Sequence, residues 1–556
     1  MNITKWLWWR PRVVRCVYHS TVTQVLDPIP STSPHTRPQQ QHHHDPTMPD
    51  TTTLSPSHDA GEETASATTI HCPLLSTNFQ WIVRHCPAFP VNGSKVRVIT
   101  DPQEFYRELL SRAGSASHRI SMSSLYLGTG KLERELVSVM SERAALCKDL
   151  RVHWLLDFTR GSRGDFNSRK MLQPLVSSCP ETCSVSLYHT PDLRGFLRHI
   201  IPQRWNETIG LQHMKLYVFD DSLVISGANL SNDYFTNRQD RYFVFDDCPE
   251  LAQFYHTIIE TVGKFSLRLR ANDTTSLYPE TCVHPFLSDY NKYCSSVKAA
   301  LLNLWNKECS KNLSRLNQLL KSLGQTDIDK SEECVTDSKI NHSLDTIVFP
   351  TLQMGPFSIT NDSVITKKLL TTAESNSRIQ LASGYFNLTE EYMQCVLQQS
   401  QANYGILMAH PKANGFLGAR GFAGAIPAAY TQLAKLFFER LQRGGASNRI
   451  SMFEYQRPRW TFHAKGLWYY QPGHSLPSLT MIGSPNFGKC WRSVNRDLET
   501  QVIVATRNTD LQVELHHEQE RLYTSSTEVT GQTFTERERL VPYWVRLVMP
   551  IIKVFF

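Results

Sequence analysis

Residues 210–219 read GLQHMKLYVF and residues 460–470 read WTFHAKGLWYY. Each places a histidine and, two positions later, a lysine in an otherwise apolar run. Side chains alternate along extended backbone, so His213, Lys215 and Tyr217 share one face while Met214, Leu216 and Val218 take the other. The second face is suited to a core. The first is suited to a phosphate: the lysine fixes a non-bridging oxygen, and an imidazole that titrates near neutrality attacks phosphorus or moves a proton. One such pair carries little weight, and His410-Pro-Lys412 is read as a chance occurrence because proline disrupts a central strand. The other two pairs share a sequel, a second strand ending in a small-residue loop with an asparagine: LVISGANLS at 223–231 and LTMIGSPNFG at 479–488.

The echo extends outward from these strands. RISMSSLY (119–126) matches RIQLASGY (378–385), LRVHWLLDF (150–158) stands where YGILMAHP (404–411) does, and SVSLYHTP (184–191) answers RISMFEYQ (449–456). Helical stretches such as KLERELVSVMSERAALCK (131–148) and AAYTQLAKLFFERLQR (428–443) lie between them. Strands alternating with helices predict an α/β sheet covered by helices, and the same order twice predicts a duplicated domain. A helical and then polar segment, 271–345, separates the two copies.

The rest of the chain sets bounds. At 556 residues and 40% apolar composition it can bury more than one ordinary core. A net charge of +7 suits anionic partners without choosing among them. The 13 cysteines show no paired CxxC and no zinc spacing, which predicts reduced thiols, Cys179 and Cys183 included. Residues 1–26 carry Lys5, Arg10, Arg12 and Arg15 with aromatics, hydroxyls and no acid, the chemistry of a mitochondrial transit peptide. The Pro-, Thr-, Ser-, Gln- and His-rich stretch 27–75 reads as a disordered linker.

On its two HxK motifs and their Asn-bearing sequels the sequence resembles the phospholipase D superfamily, whose mark is HxKxxxxD followed by a Gly-Ser-x-Asn segment, once in each half. The first copy is His213, Lys215 and Asp220, then Gly227, Ala228 and Asn229; the second is His463 and Lys465, then Gly483, Ser484, Pro485 and Asn486. SLYLGTG, DFTRGSRG, NETIGLQH, YFTNRQDRY, AGAIPAAY and GSPNFG are similar to stretches of one branch, the eukaryotic mitochondrial phosphatidylglycerophosphate synthases. The resemblance covers about residues 76–530. It implies two tandem phospholipase D-like α/β domains, 76–270 and 346–530, each a mixed sheet flanked by helices, with one active site at their interface and an amphipathic tail at 531–556. Two departures stand out: Tyr470 replaces the second motif's Asp, and the first loop is Gly-Ala-Asn.

The resemblance further implies chemistry without a cofactor or metal. One histidine attacks phosphorus, the other protonates the leaving group, and an acceptor hydroxyl releases the phosphohistidine. Asp240 and Glu499 match the carboxylates that hold the histidines in their reactive tautomers. His213 is expected to be the nucleophile because its motif keeps Asp220, with His463 as acid and base; the resemblance leaves the exchanged assignment open. The donor would be CDP-diacylglycerol and the acceptor glycerol 3-phosphate, at a mitochondrial inner-membrane surface and without nucleic acid. Arg160, Arg163, Lys170 and Ser484 are candidate substrate contacts. Ser124, Gly128, Gly130 and Lys131 in SLYLGTGK faintly match a nucleotide-phosphate loop. No stretch is apolar for long enough to span a bilayer, so 193–205 and 543–556 are the candidates for peripheral attachment. A hydrolase of lipid or nucleic acid is the alternative, and a dead scaffold a more distant one.

Overall fold

The computed structural model describes residues 71–202, 206, 209–323, 344–419, 424–487 and 495–552. The expected transit peptide, most of the expected linker and the polar run 324–343 lie outside these residues. Among the described residues two nine-stranded mixed sheets dominate, both within the unit Thr68–Phe556. The first has the spatial order Thr275–Ser276, Leu267–Leu269, Cys183–Tyr188, Arg151–Asp157, Arg119–Ser123, Leu216–Phe219, Ser222–Ser226, Tyr242–Phe245, Val96–Ile99. The second runs Phe89–Val91, Thr346–Met354, Leu498–Thr506, Leu479–Gly483, Lys465–Tyr470, Arg378–Ser383, Asn403–Ala409, Ile450–Tyr455, Ser526–Glu528. In each, three parallel strands adjoin an antiparallel set, and the strands echoed in the sequence occupy equivalent places.

Both faces of each sheet are buried. A central core joins Met214, Leu216 and Val218 to Trp468, Ile482 and Val502, so it is shared by the two halves. The helices that follow the last long strand of each half, Pro249–Lys264 and Thr509–Thr524, contribute Phe254, Ile258, Leu511 and Leu515 to it. The outer faces close under other helices: Tyr217 and Phe219 enter the first outer core, with the Phe105 ring 5.8 Å from Tyr217. The face carrying His213 and Lys215 is therefore polar only at the N-terminal end of its strand, and from Tyr217 onward it is as apolar as its opposite.

Three boundaries differ from the sequence expectation. Cys72, Leu74, Leu75, Phe79, Ile82 and Val83 pack in the second half's outer core, and Phe89–Val91 pairs antiparallel with Thr346–Met354. Residues 71–91 thus close the edge of the second sheet although they precede the first. The described part of 271–345 is a connector, with Tyr293, Val297 and Leu301 in the shared core and Asn312 bonded to Val83 O, Cys86 O and Ala88 N. Beyond 530, Arg539 forms a buried pair with Glu454, and the helix Tyr543–Ile552 seats Val545 and Met549 on Ala429. None of these attachments leaves a periodic signal in sequence, because they are long-range pairings. Among the described residues no helix is long and apolar enough to cross a membrane, and the ten described cysteines are free thiols.

One charged pair locks the halves together. Arg241, from the first half and fully buried, donates from Nε and Nη2 to Glu518 at 2.8 Å each, from Nη1 to Met481 O and from Nη2 to Thr480 Oγ1, with its guanidinium 3.8 Å from the Trp468 ring centroid. Removing one partner strands the other charge away from water. Glu518→Gln is therefore expected to cost about 3–5 kcal/mol, read as a lower midpoint in urea denaturation. A change below about 1 kcal/mol would mean that solvent reaches this pair.

Candidate active site

Each histidine is delivered by a short strand that leaves its own sheet and pairs with the other half. Leu498 N donates to Leu211 O and His213 N to Leu498 O, both at 2.8 Å, with a parallel bridge at Gln212–Leu498. Reciprocally, Thr461–Phe462 runs parallel to Arg238–Gln239, and His463 N donates to Gln239 O at 2.8 Å. The residue after Gln239 and the residue after Leu498 are both acids, so the pairing is crossed. Glu499 of the second half sits 3.0 Å from His213 Nδ1, and Asp240 of the first half sits 2.7 Å from His463 Nδ1. With Nδ1 held by a carboxylate, Nε2 is the nitrogen left to react.

The lysines lie beneath the histidines. Lys215 Nζ and Lys465 Nζ each donate to the carbonyl oxygen of their own histidine at 2.7 Å, and Lys465 Nζ also lies 2.7 Å from His463 Nδ1. Burial pushes Lys215 well below the usual lysine range and Lys465 down to about 8, against the pull of Glu499 on the first and Asp240 on the second. Burial also lowers both histidines. His463 falls furthest, helped by Lys465, Arg238, Lys215 and His213. The two HxK pairs therefore share one electrostatic environment. Burial raises Asp240 to about 6 despite Lys465, while Glu499 stays below its usual range because His213, Lys215 and Ser484 together outweigh its burial.

Small residues make room for this packing. A Cβ on Gly227 would lie 2.7 Å from Asp240 Oδ1, and one on Gly384 would lie 2.7 Å from His463 Cα. Gln212 fixes the approach to His213: its Nε2 donates to Ser123 Oγ, Ser124 O and Leu155 O, and its Oε1 accepts from Met214 N. Asn229 Nδ2 donates to the Tyr234 hydroxyl at 3.1 Å, and that hydroxyl lies 3.3 Å from His463 Nε2. Asn486 keeps a buried Oδ1 unmet by any described residue. Sequence reasoning missed Gln212 and Tyr234. Neither carries a charge or a spacing that marks it, although both lie inside stretches that carried the resemblance.

Other expected site residues are placed elsewhere. Asp220 sits past the far end of its strand at φ +48°, and its carboxylate accepts from Ser117 N, His118 N and Arg119 N. It caps a turn and does not separate the roles of the two histidines. Tyr470, at the corresponding place, bonds Gln519 Oε1 and His516 Nδ1 beneath the Arg378 guanidinium, so this departure touches the scaffold. Ser484 is fully buried and engaged with the Thr500 backbone, which makes it a support for Glu499 in place of a substrate contact. Arg160 stacks 4.0 Å over Tyr126, Arg163 is half-buried beside it, and Lys170 is exposed and donates to Asp165 O. The SLYLGTGK loop holds no phosphate cradle. Ser124 Oγ donates to Tyr126 O, Gly128 and Gly130 are covered by the Glu133 carboxylate of the helix that follows them, and Lys131 is exposed. An anion there would meet a carboxylate.

No family model matches the chain. The duplicated mixed sheet and its crossed histidine–carboxylate pairs define a two-half α/β protein with one shared polar centre. The phosphatidylserine synthase of Haemophilus influenzae has this fold, with a TM-score of 0.61 at 16% identity over 85% of this chain and 98% of that one. In sequence, the mitochondrial CDP-diacylglycerol–glycerol-3-phosphate 3-phosphatidyltransferase of Homo sapiens is 46% identical over 491 residues, 87% of each chain. The enzyme of that name from Schizosaccharomyces pombe is 33% identical over 449 residues, 77% of this chain and 88% of its own. The chain belongs to this family of phosphatidyltransferases.

Two substitutions separate scaffold from chemistry. Asp220→Ala strands three amide donors and is expected to cost about 1–3 kcal/mol of stability while activity per folded molecule persists. Gly227→Ala forces the Asp240 carboxylate off His463, and kcat is expected to fall roughly 100-fold in a protein with unchanged circular dichroism. The reverse pattern, dead Asp220→Ala and active Gly227→Ala, would place the chemistry at the motif's aspartate.

Proposed function

We propose that His213 and His463 carry out the family's reaction by double displacement, moving the phosphatidyl group of CDP-diacylglycerol to glycerol 3-phosphate. His213 Nε2 attacks the phosphatidyl phosphorus, the bond to the CMP oxygen breaks, and His463 gives that oxygen a proton. His463 then takes the proton of the glycerol 3-phosphate hydroxyl, whose oxygen attacks phosphorus as the His213 bond breaks. The products are CMP and phosphatidylglycerophosphate, a precursor of cardiolipin. Lys215 and Lys465 neutralise the non-bridging oxygens, on which charge grows.

The crossed pairing of two imidazoles with two buried carboxylates carries this reading, since it supplies two oriented histidines to one phosphorus. Accessibility supports the division of labour: the His213 side chain is 15% exposed against 6% for His463, whose Nε2 already faces the Tyr234 hydroxyl. Purified protein would be given labelled CDP-diacylglycerol and glycerol 3-phosphate. His463→Ala is expected to slow turnover by about 10²–10⁴-fold and to accumulate an acid-labile labelled protein, which His213→Ala does not form. Label trapped on His213→Ala instead would exchange the two roles. CMP release without lipid product in the wild type would favour the hydrolase.

The lipid donor requires contact with a bilayer surface, and two exposed apolar segments suit one. Phe196, Leu197 and Ile200 project beside Arg198, and Tyr543, Trp544 and Leu547 face outward from the helix whose inner side packs on Ala429. Aromatic and aliphatic groups interleaved with arginine are suited to the headgroup zone, and the modest charge of +7 gives no reason to invoke nucleic acid. Trp544→Asp with Leu547→Asp is expected to weaken sedimentation with anionic vesicles at least roughly tenfold, because each buried side chain is worth ~1.5–3 kcal/mol. Activity on detergent-dispersed donor should persist. Unchanged sedimentation would remove the helix from the membrane contact.

A further inference from the structure

The two halves of the site are not equivalent in charge. Thr461 pairs with Arg238, two residues before Asp240, while the corresponding segment, Leu211, meets Asp497, two residues before Glu499. Residues two apart on a strand share a face, so a guanidinium stands beside the Asp240–His463 pair where a carboxylate stands beside Glu499–His213. Arg238 is built into place. Nε donates to Thr461 Oγ1 at 3.0 Å, Nη2 reaches the exposed Asp233 at 3.1 Å, and the guanidinium lies 4.5 Å from the Tyr234 ring centroid. Tyr385 adjoins it, with its ring 5.5 Å from the His463 ring. A Cβ on Gly415 would lie 3.0 Å from the Tyr385 hydroxyl and 3.2 Å from Arg238 Nη2, so a glycine loop closes over the cluster. The charge bears on the reacting groups, since Arg238 helps to lower both His463 and Lys465. Thr461 and Asp233 orient the five-donor fork without exhausting it.

We infer that Arg238, flanked by Tyr234 and Tyr385, is a phosphomonoester subsite used first by the leaving CMP and then by the entering glycerol 3-phosphate. This rests on the double displacement above. In that scheme leaving group and acceptor occupy the same in-line position opposite His213, next to His463, and both carry a phosphomonoester. A single cation on that side serves both in turn, and water, which has no phosphate, gains nothing from it. The subsite thereby favours transfer over hydrolysis by binding the acceptor where its hydroxyl meets His463.

The wild type, Arg238→Gln and Arg238→Lys would be compared as full-length proteins by the KM for glycerol 3-phosphate and the inhibition constant of CMP. Loss of a charge-assisted contact is expected to raise both constants together in Arg238→Gln by roughly 10- to 100-fold, with a smaller rise in Arg238→Lys, which keeps the charge and loses the fork. A fall in kcat with both constants unchanged, or a shift in one constant alone, would overturn the shared subsite. If Arg238→Gln does not fold, the lysine variant decides by the same criterion. A wild type that forms no phosphatidylglycerophosphate would instead overturn the transferase reading itself.

Discussion

Two short parallel pairings, 211–213 against 498 and 461–463 against 237–239, hold the rest of the site in place. Each takes a histidine out of its own sheet and fixes its backbone, through amide-to-carbonyl bonds of 2.8 Å, beside an acid of the other half. Both site histidines, His213 and His463, take their orienting carboxylate from the other half. The shared core and the buried Arg241–Glu518 pair serve this constraint, since a small shift of one sheet against the other would separate both imidazoles from their partners at once.

Burial is what turns this arrangement into chemistry. Two lysines, two histidines and two carboxylates out of water would be costly as isolated charges, and they persist because each is met by an opposite charge or a backbone group. The low dielectric depresses the histidines and lysines and so favours the neutral imidazole that attack by His213 requires, while the Asp240 carboxylate at Nδ1 offsets the charge when His463 carries a proton. The same packing explains the glycines: room for the Asp240 carboxylate at Gly227 and for the His463 backbone at Gly384 exists only because a Cβ is missing.

Duplication supplied the symmetry, and the two halves depart from it at particular residues. The aspartate at 220 and the tyrosine at 470 look decisive in a motif comparison, yet both sit at the far ends of their strands and hold turns or neighbouring rings. Arg238 and Asp497, which no motif marks, stand in corresponding places beside the two histidines with opposite charges. A duplicated frame with unlike flanking charges can treat leaving group and nucleophile differently although the reacting groups match.

The sequence by itself determined the duplicated α/β order, the two HxK strands, their asparagine loops and the acids that follow, because alternation, spacing and repetition are local properties of a chain. Only the tertiary structure decided which acid serves which histidine, that Phe89–Val91 closes the second sheet, that Ser484 supports Glu499, and that Glu133 fills the glycine loop at 128–130. Those are pairings between residues far apart along the chain. They are set by which buried groups find opposite charge and hydrogen-bond partners once the two sheets enclose a common core.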